Sequence, residues 1–546
     1  GSVDLYHDNS KKLETTSAGI TVTGTVTATA FSGSGANLTN LPPSGGSFTA
    51  AASGALTAKD AVIVNSSGQA AKIVKTTAQQ TPATSGTPGA VYAGTATTGQ
   101  CIVYASSIDR FFCGYRRNSY IYGRMGQVVS GNAISWGAEI AVSPSNGSNP
   151  QVTFDASAGL PVYIWQGSSN TTPYCRPMGI NTSNNTMSHG TTFQIGTNAA
   201  NNPNIVYDES AQRCVMVWQQ SNDNKVVTKY IDVTNATTAT VYPSTTGYGT
   251  YLSSNNGQSQ SMGICYDPDA SKVVAFWRET SGTHSGKTAV CSITTPSSGG
   301  SASTIGSTSY WISANNYVPT GFTCDYDKKE NRVVTAYTNA ATSYQNIQIA
   351  VGVWNGSTYG MGTNHGNSVG STNGLLYSTY DSTAERVVVA WGEQSPQSKI
   401  RSFSIGGSGY TVTESSIGDL DDAARSLGYY NGRTGFADYP TGGGMMMIFR
   451  DDGYSDHVNT LFVTSAVPST NLNTGNFGGF VASSVSSGQT ATINTIGGTT
   501  SWTASTLTPG TKYYVQADGT LGTSVDTLSG SVSAGLALTS STLLIK

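Results

Sequence analysis

Charged side chains are scarce in this chain. Asp, Glu, Lys and Arg make up 10% of its 546 residues, against about a quarter in an average soluble domain. With a formal net charge of -3 and no basic run, it offers neither the electrostatic footprint of a nucleic-acid binder nor a polybasic patch for anionic lipid. No apolar run approaches the roughly 18 residues of a membrane span, and the N-terminus has no charged segment leading into an apolar signal core. Nucleic acid and membrane insertion are therefore excluded as expectations. Paired cysteines are also missing. The seven present are Cys101, Cys113, Cys175, Cys214, Cys265, Cys291 and Cys324, an odd number without a Cys-x-x-Cys motif. Most lie in apolar runs, which predicts free, buried thiols and assembly in a reducing cytoplasm, the alternative being a disulfide between adjacent structural repeats. His7, His189, His284, His365 and His457 lack metal-ligand spacing, and no Gly-rich phosphate loop is present. No metal and no cofactor is expected.

What the chain has instead is a repeat. Tyr266-Asp267 leads through a polar turn into Val273-Val274-Ala275-Phe276-Trp277, and the same grammar recurs at Tyr207-Asp208 to Trp218, Tyr326-Asp327 to Tyr337, Tyr380-Asp381 to Trp391 and Phe154-Asp155 to Trp165. The aromatic stands ten residues after the Asp each time, and the copies are 53, 59, 60 and 54 residues apart. A fixed local pattern at that period marks a repeat architecture. Each copy reads as a strand, a tight turn, a β-branched strand and two further strands, which describes one blade of a β-propeller. Looser copies at Ser107-Ile108-Asp109 and before Met445-Met446-Met447-Ile448-Phe449 flank the five. The expected fold is all-β, with a seven-bladed propeller of four-stranded antiparallel blades over 98–467, six blades being the alternative. An N-terminal shaft and linker segment (1–46) would precede it, and a small β-domain split between 47–97 and 468–546 would surround it.

In the shaft segment, Ile20 to Phe31 alternates apolar residues with Thr, predicting one strand with a dry face that copies of the chain would cover. The words Leu5-Tyr6-His7-Asp8-Asn9-Ser10-Lys11-Lys12-Leu13 and Gly24-Thr25-Val26-Thr27-Ala28-Thr29-Ala30-Phe31 resemble a repeat of tail-fibre proteins from marine tailed bacteriophages. The late segments Phe477-Gly478-Gly479-Phe480-Val481-Ala482 and Lys512-Tyr513-Tyr514-Val515-Gln516 resemble a small β-module that ends many such fibres, into which other material is inserted. The resemblance implies a virion fibre or appendage protein, homotrimeric, assembled in the host cytoplasm with other phage tail proteins and attaching to the host surface.

Chemistry in a propeller sits at its two mouths. The repeated Asp residues read as turn formers and the repeated aromatics as packing between blades. Just beyond the aromatics, Arg116, Gln166, Gln219, Arg278, Glu279, Glu393, Arg450 and Asp451 would share one rim. The connections on that side are rich in amides: Asn201-Asn202, Asn255-Asn256-Gly257-Gln258, Asn315-Asn316-Tyr317 and Asn364-His365. Amides and flat rings suit sugar hydroxyls and pyranose faces, so these residues are the candidate contacts for a host glycan, solvated loops being the plain alternative. Glu279, Glu393 and Asp451 would be the carboxylates of a polysaccharide depolymerase. However, the Ser-x-Asp-x-Gly-x-x-Trp turns expected of a sialidase-type propeller do not occur, and the chain is not expected to be an enzyme. A structural spacer or decoration role without receptor binding is the other alternative.

Overall fold

The computed structural model describes residues 2–17, 19–25, 46–77, 82–94, 98–129, 132–167, 172–242, 250–253, 257–279, 286–292, 304–305, 309–312, 319–339, 346–356, 359–361, 365–367, 372–393, 398–406, 411–420, 435–451, 457–465, 468–502, 506–526 and 528–546. The chain divides into two compact units, Thr76–Ser469 and a second made of Gly1–Lys75 with Thr470–Lys546.

The larger unit is a β-propeller. Its described residues form seven antiparallel sheets. In the second sheet, Gly147–Asp155, Leu160–Gly167, Pro173–Asn181 and Thr186–His189 pair in sequence order, and Phe193–Gln194 returns to the third strand. The next four sheets repeat this order, with innermost strands Ala200–Asp208, Gly257–Asp267, Pro319–Asp327 and Thr372–Asp381. The second strands Leu160–Gly167, Arg213–Gln220 and Lys272–Glu279 are near-continuous buried runs, because each sheet packs against two neighbours. Seven apolar clusters result, one for each adjacent pair. Phe112, Phe154 and Trp165 join the first and second sheets, and the same joining continues around the ring to Met445, Met447 and Val388 between the sixth and seventh. A last cluster packs Tyr439, Met446 and Ile448 of the seventh sheet on Ile102, Phe111 and Tyr115 of the first. The ring is closed. Trp165, Trp218, Trp277, Tyr337 and Trp391 are each 2% exposed or less, which makes them packing residues.

The seventh sheet corrects the expected domain boundary at residue 97. Its strands Gly435–Tyr439, Gly444–Asp451 and His457–Thr464 are completed by Ala83–Tyr92, which precedes the first sheet in sequence. Without that strand, His457–Thr464 would present an open row of N–H and C=O groups. Arg117 of the first sheet pins its end, with the guanidinium 4.7 Å from the Tyr92 ring and 4.2 Å from that of Tyr122, and with a 3.0 Å hydrogen bond donated to Tyr92 Oη.

The smaller unit interleaves the chain's two ends. One sheet runs Ser47–Ala51, Thr490–Asn494, Phe477–Val481, Ala61–Val64, Ala70–Lys72, and a second holds Thr499–Ser501, Thr542–Ile545, Ser533–Thr539, Lys512–Val515 and Leu521–Gly522. Ile63 and Ile73 from the early segment share a core with Phe480, Val515 and Leu543 from the late one. The N-terminal segment departs from the expected single strand. Asp4–His7, Ser10–Thr16 and Gly19–Val22 form a three-stranded meander, turned at Asp8 and Asn9 with φ of 49° and 57°, the paired left-handed residues of a tight hairpin. Residues 23–25 are not in a strand, and 26–31 lie outside the described residues.

Candidate functional site

The Tyr-Asp turns build one mouth of the propeller. In four of the five turns the Asp carboxylate accepts backbone N–H groups two and three residues on, as Asp208 Oδ1 does from Ser210 (3.0 Å) and Ala211 (2.9 Å) and Asp155 Oδ1 from Ser157 and Ala158 (3.0 Å each). Asp327 and Asp381 do the same. The residue four after the Asp takes up a left-handed conformation to enter the second strand. It is glycine once, Gly159, and otherwise Gln212, Ser271, Asn331 and Glu385, with φ between 53° and 68°.

In four repeats the Tyr before the Asp clasps the previous blade, while Phe154, before Asp155, has no hydroxyl to do so. Tyr207 Oη accepts the N–H of Ser157 and Tyr266 Oη that of Ser210, both at 3.1 Å. Tyr326 and Tyr380 bond the backbone N–H of Asp269 and Lys329. In the seventh sheet Asp438 takes the part of the tyrosine, accepting Ser382 N–H and Oγ–H at 3.0 Å, and Tyr104 of the first sheet bonds Thr441 of the seventh at 2.9 Å. The dipeptide is repeated because it ties each turn to itself and to its neighbour.

Inside this belt lies a cavity of about 440 Å³ lined by Tyr104, Tyr207, Tyr266, Tyr326, Glu209, Lys328, Asp325, Cys265 and Cys324. Tyr104, Tyr207 and Tyr266 are half-buried, while Glu209 and Lys328 are exposed. Burial raises the Asp325 carboxyl above the ordinary carboxylate range, although it accepts the N–H groups of Tyr326 (2.7 Å) and Tyr380 (2.9 Å). Burial also pushes Asp327 up to about 6. All seven cysteines are free thiols, and those of Cys265 and Cys324 hydrogen-bond to each other on the cavity wall. The signal of this mouth in the sequence is the tyrosine repeated before the turn Asp, a residue that also fits a strand end.

At the opposite mouth, Arg116, Gln166, Gln219 and Arg278 do occupy one register, each at the end of a second strand beside a bulge in the innermost strand. The structure corrects their exposure. Arg278 and Glu279 retain 8% and 5% of their surface. The bulges turn the inner strand over these ends, re-aiming side chains inward. Gln166 Oε1 accepts from Asn149 Nδ2 at 2.9 Å, and Gln219 bonds Asn201 (3.2 Å) and the Gly257 carbonyl. Glu279 lies 3.8 Å from Lys287 in a buried ion pair. Arg116 and Arg450 remain half-buried. Gln258, His365, Glu393 and Asp451 lie in strands. Asn255, Asn256, Asn315, Asn316, Tyr317 and Asn364 lie outside the described residues. Among the described residues no group of three or more His, Cys, Asp or Glu side chains is placed to hold a metal ion, and Asp267 spends its oxygens on Ala270 N–H (2.9 Å) and the Tyr359 hydroxyl.

Comparison with protein-family models and with curated proteins gives no match. Among solved structures the chain is similar to the WD40 domain of coronin from Toxoplasma gondii, at 8% identity and a TM-score of 0.44 over 75% of this chain and 89% of that one. It is similar also to the polysaccharide lyase Uly1, at 9% identity and a TM-score of 0.42 over 68% and 92%, and to the yeast Saccharomyces cerevisiae Sqt1, at 10% identity and a TM-score of 0.39 over 70% and 99%. Likenesses of this order carry no ligand and no reaction from those proteins to this one.

Proposed function

We propose that this chain is part of a bacteriophage tail fibre or appendage and that its propeller recognises a host-surface glycan. The observation that carries the recognition reading is the cavity ringed by Tyr104, Tyr207, Tyr266 and Tyr326 with Glu209 and Lys328 at its edge: flat rings beside polar groups, in a volume within the about 300–1,000 Å³ usual for ligand pockets. The fibre reading rests on the resemblance at the two ends of the chain. Assembly with further copies is favoured by the N-terminal meander, where Leu5, Leu13 and Val22 stand in cross-strand register with Leu5 54% and Val22 38% exposed. Several linked heads would convert weak single contacts into firm attachment.

The spacer reading has one observation in its favour, the burial of Gln166, Gln219, Arg278 and Glu279 in the opposite rim. The test is retention of the purified protein on columns of bacterial surface polysaccharide. Glu209→Ala with Lys328→Ala should abolish retention and leave the fold intact, since both side chains are exposed. Retention unchanged in that variant but lost when Asn315, Asn316 and Tyr317 are all replaced would move recognition to the amide-rich mouth. Retention by no polysaccharide of a susceptible host would favour the spacer.

A further inference from the structure

The smaller unit holds a cavity of its own, of about 410 Å³, between the early hairpin that carries Lys59, Asp60 and Lys72 and the late segment that carries Trp502, Tyr513 and Asp518. Its walls are preset. Trp502 is half-buried and stands edge-on to Phe480, with ring centres 5.5 Å apart and planes at 89°, and the Tyr513 hydroxyl accepts Thr508 N–H at 3.0 Å. Asp60 accepts Thr57 N–H (2.8 Å) through one oxygen and the Lys72 ammonium (3.2 Å) through the other. Asp518 Oδ1 accepts Thr520 N–H at 2.9 Å. Lys59 sits at φ 78°, a conformation that costs a non-glycine residue energy and that clusters at binding sites.

We propose that this cavity binds a neutral pyranose. The indole offers a flat apolar surface for the C–H face of a sugar ring. The carboxylates and ammonium groups keep unused lone pairs and protons for hydroxyls, and because Asp60, Lys72 and Asp518 are already fixed by bonds within the unit, little of their side-chain freedom is lost on binding. Two lysines and two aspartates cancel, which disfavours a phosphate or a polyanion. The site is independent of the propeller and does not rest on the reading of its mouth.

The experiment is saturation-transfer NMR on the full chain with glucose, galactose, mannose and N-acetylglucosamine, and with inorganic phosphate as a competitor. The proposal expects transfer to the ring protons of at least one sugar, phosphate leaving it unchanged. It expects binding weaker by about tenfold or more when Trp502→Leu is added to a chain already carrying the propeller changes Glu209→Ala and Lys328→Ala. Should Trp502→Leu fail to fold, Asp518→Ala and Lys59→Ala carry the same expectation. No transfer from any of the four sugars, displacement by phosphate, or, in the chain carrying Glu209→Ala and Lys328→Ala, transfer that survives Trp502→Leu or, in its place, both of the other changes overturns it. Loss in Glu209→Ala alone would assign the signal to the propeller and overturn it too.

Discussion

The belt of Tyr-Asp turns makes a quantitative demand on Asp208. This residue is 1% exposed, and its Oδ1 accepts three donors: Ser210 N–H at 3.0 Å, Ala211 N–H at 2.9 Å and Ser210 Oγ–H at 2.7 Å. Replacement by Ala removes all three. Ser210 N–H keeps the Tyr266 hydroxyl at 3.1 Å and Ser210 Oγ the Ser271 carbonyl at 3.4 Å, so one donor, Ala211 N–H, loses its acceptor outright. Hydrogen bonds to a charged group contribute about 1.5–3 kcal/mol, and an orphaned buried donor costs about 1–3 kcal/mol. With two donors partly compensated, Asp208→Ala should cost about 3 kcal/mol, and Asp208→Asn, which keeps an acceptor oxygen, about half as much. Because Tyr266 is the compensating partner, adding Tyr266→Phe should cost more in the Asp208→Ala background than in the wild type, with a coupling of about 0.5 kcal/mol or more. Urea denaturation of the four proteins measures this. A loss below about 0.5 kcal/mol in Asp208→Ala, the range of an ordinary surface change, or strict additivity with Tyr266→Phe, would refute the belt as a source of stability.

Other consequences follow from the same turns and cores. Burial raises Asp327 and Asp438 to about 6, so the folded propeller holds these protons more tightly than the unfolded chain does. Their contribution falls as pH rises from about 4 to about 6 and is level above that; urea midpoints of the wild type and of Asp327→Asn with Asp438→Asn should differ in this slope. Asp526 of the smaller unit moves the other way: burial would raise it, but hydrogen bonds from Ser529, Ala517 and Leu528 outweigh that and hold it below the ordinary range. Its stabilisation is present near neutral pH and is lost as pH falls below the ordinary carboxylate range, so amide exchange in that unit should quicken in acid and Asp526→Asn should remove the effect. Gln212→Gly and Glu385→Gly should stabilise by up to about 1 kcal/mol, because a left-handed non-glycine residue costs about 1–2 kcal/mol; a lower denaturation midpoint would contradict this. The Trp277 indole N–H is buried without an acceptor, so Trp277→Phe should cost well under the about 3–5 kcal/mol of Trp277→Ala, as the two thermal transitions would show.

The repeat was legible because its period is set by chemistry that recurs in letters: an Asp that accepts its own turn and an aromatic that fills the space between two sheets. The left-handed position four residues after the Asp was not, since Gln212, Ser271 and Glu385 do not advertise it as Gly159 does. Nor was the closing strand Ala83–Tyr92 legible, which falls within the 47–97 half expected of the small β-domain; its place follows only from the unpaired edge of His457–Thr464 at the far end of the ring. The rim register of Arg116, Gln166, Gln219 and Arg278 was correctly aligned, yet alignment in sequence is silent about the bulges that bury it. The early hairpin around Ala61–Val64 and the late strand Phe477–Val481 were expected to meet, and they pair directly. The tyrosine-lined cavity was missed because a residue that serves as a clasp was weighed only as part of a strand.

The claim on which the functional account turns is that a glycan enters the Tyr-Asp mouth. A structure of the protein with an oligosaccharide cut from a polysaccharide that retains it tests this most directly. The account predicts sugar density against Tyr207 and Tyr266 with Glu209 or Lys328 in contact. Density elsewhere on the propeller, or a retained oligosaccharide that leaves this cavity empty, would contradict it.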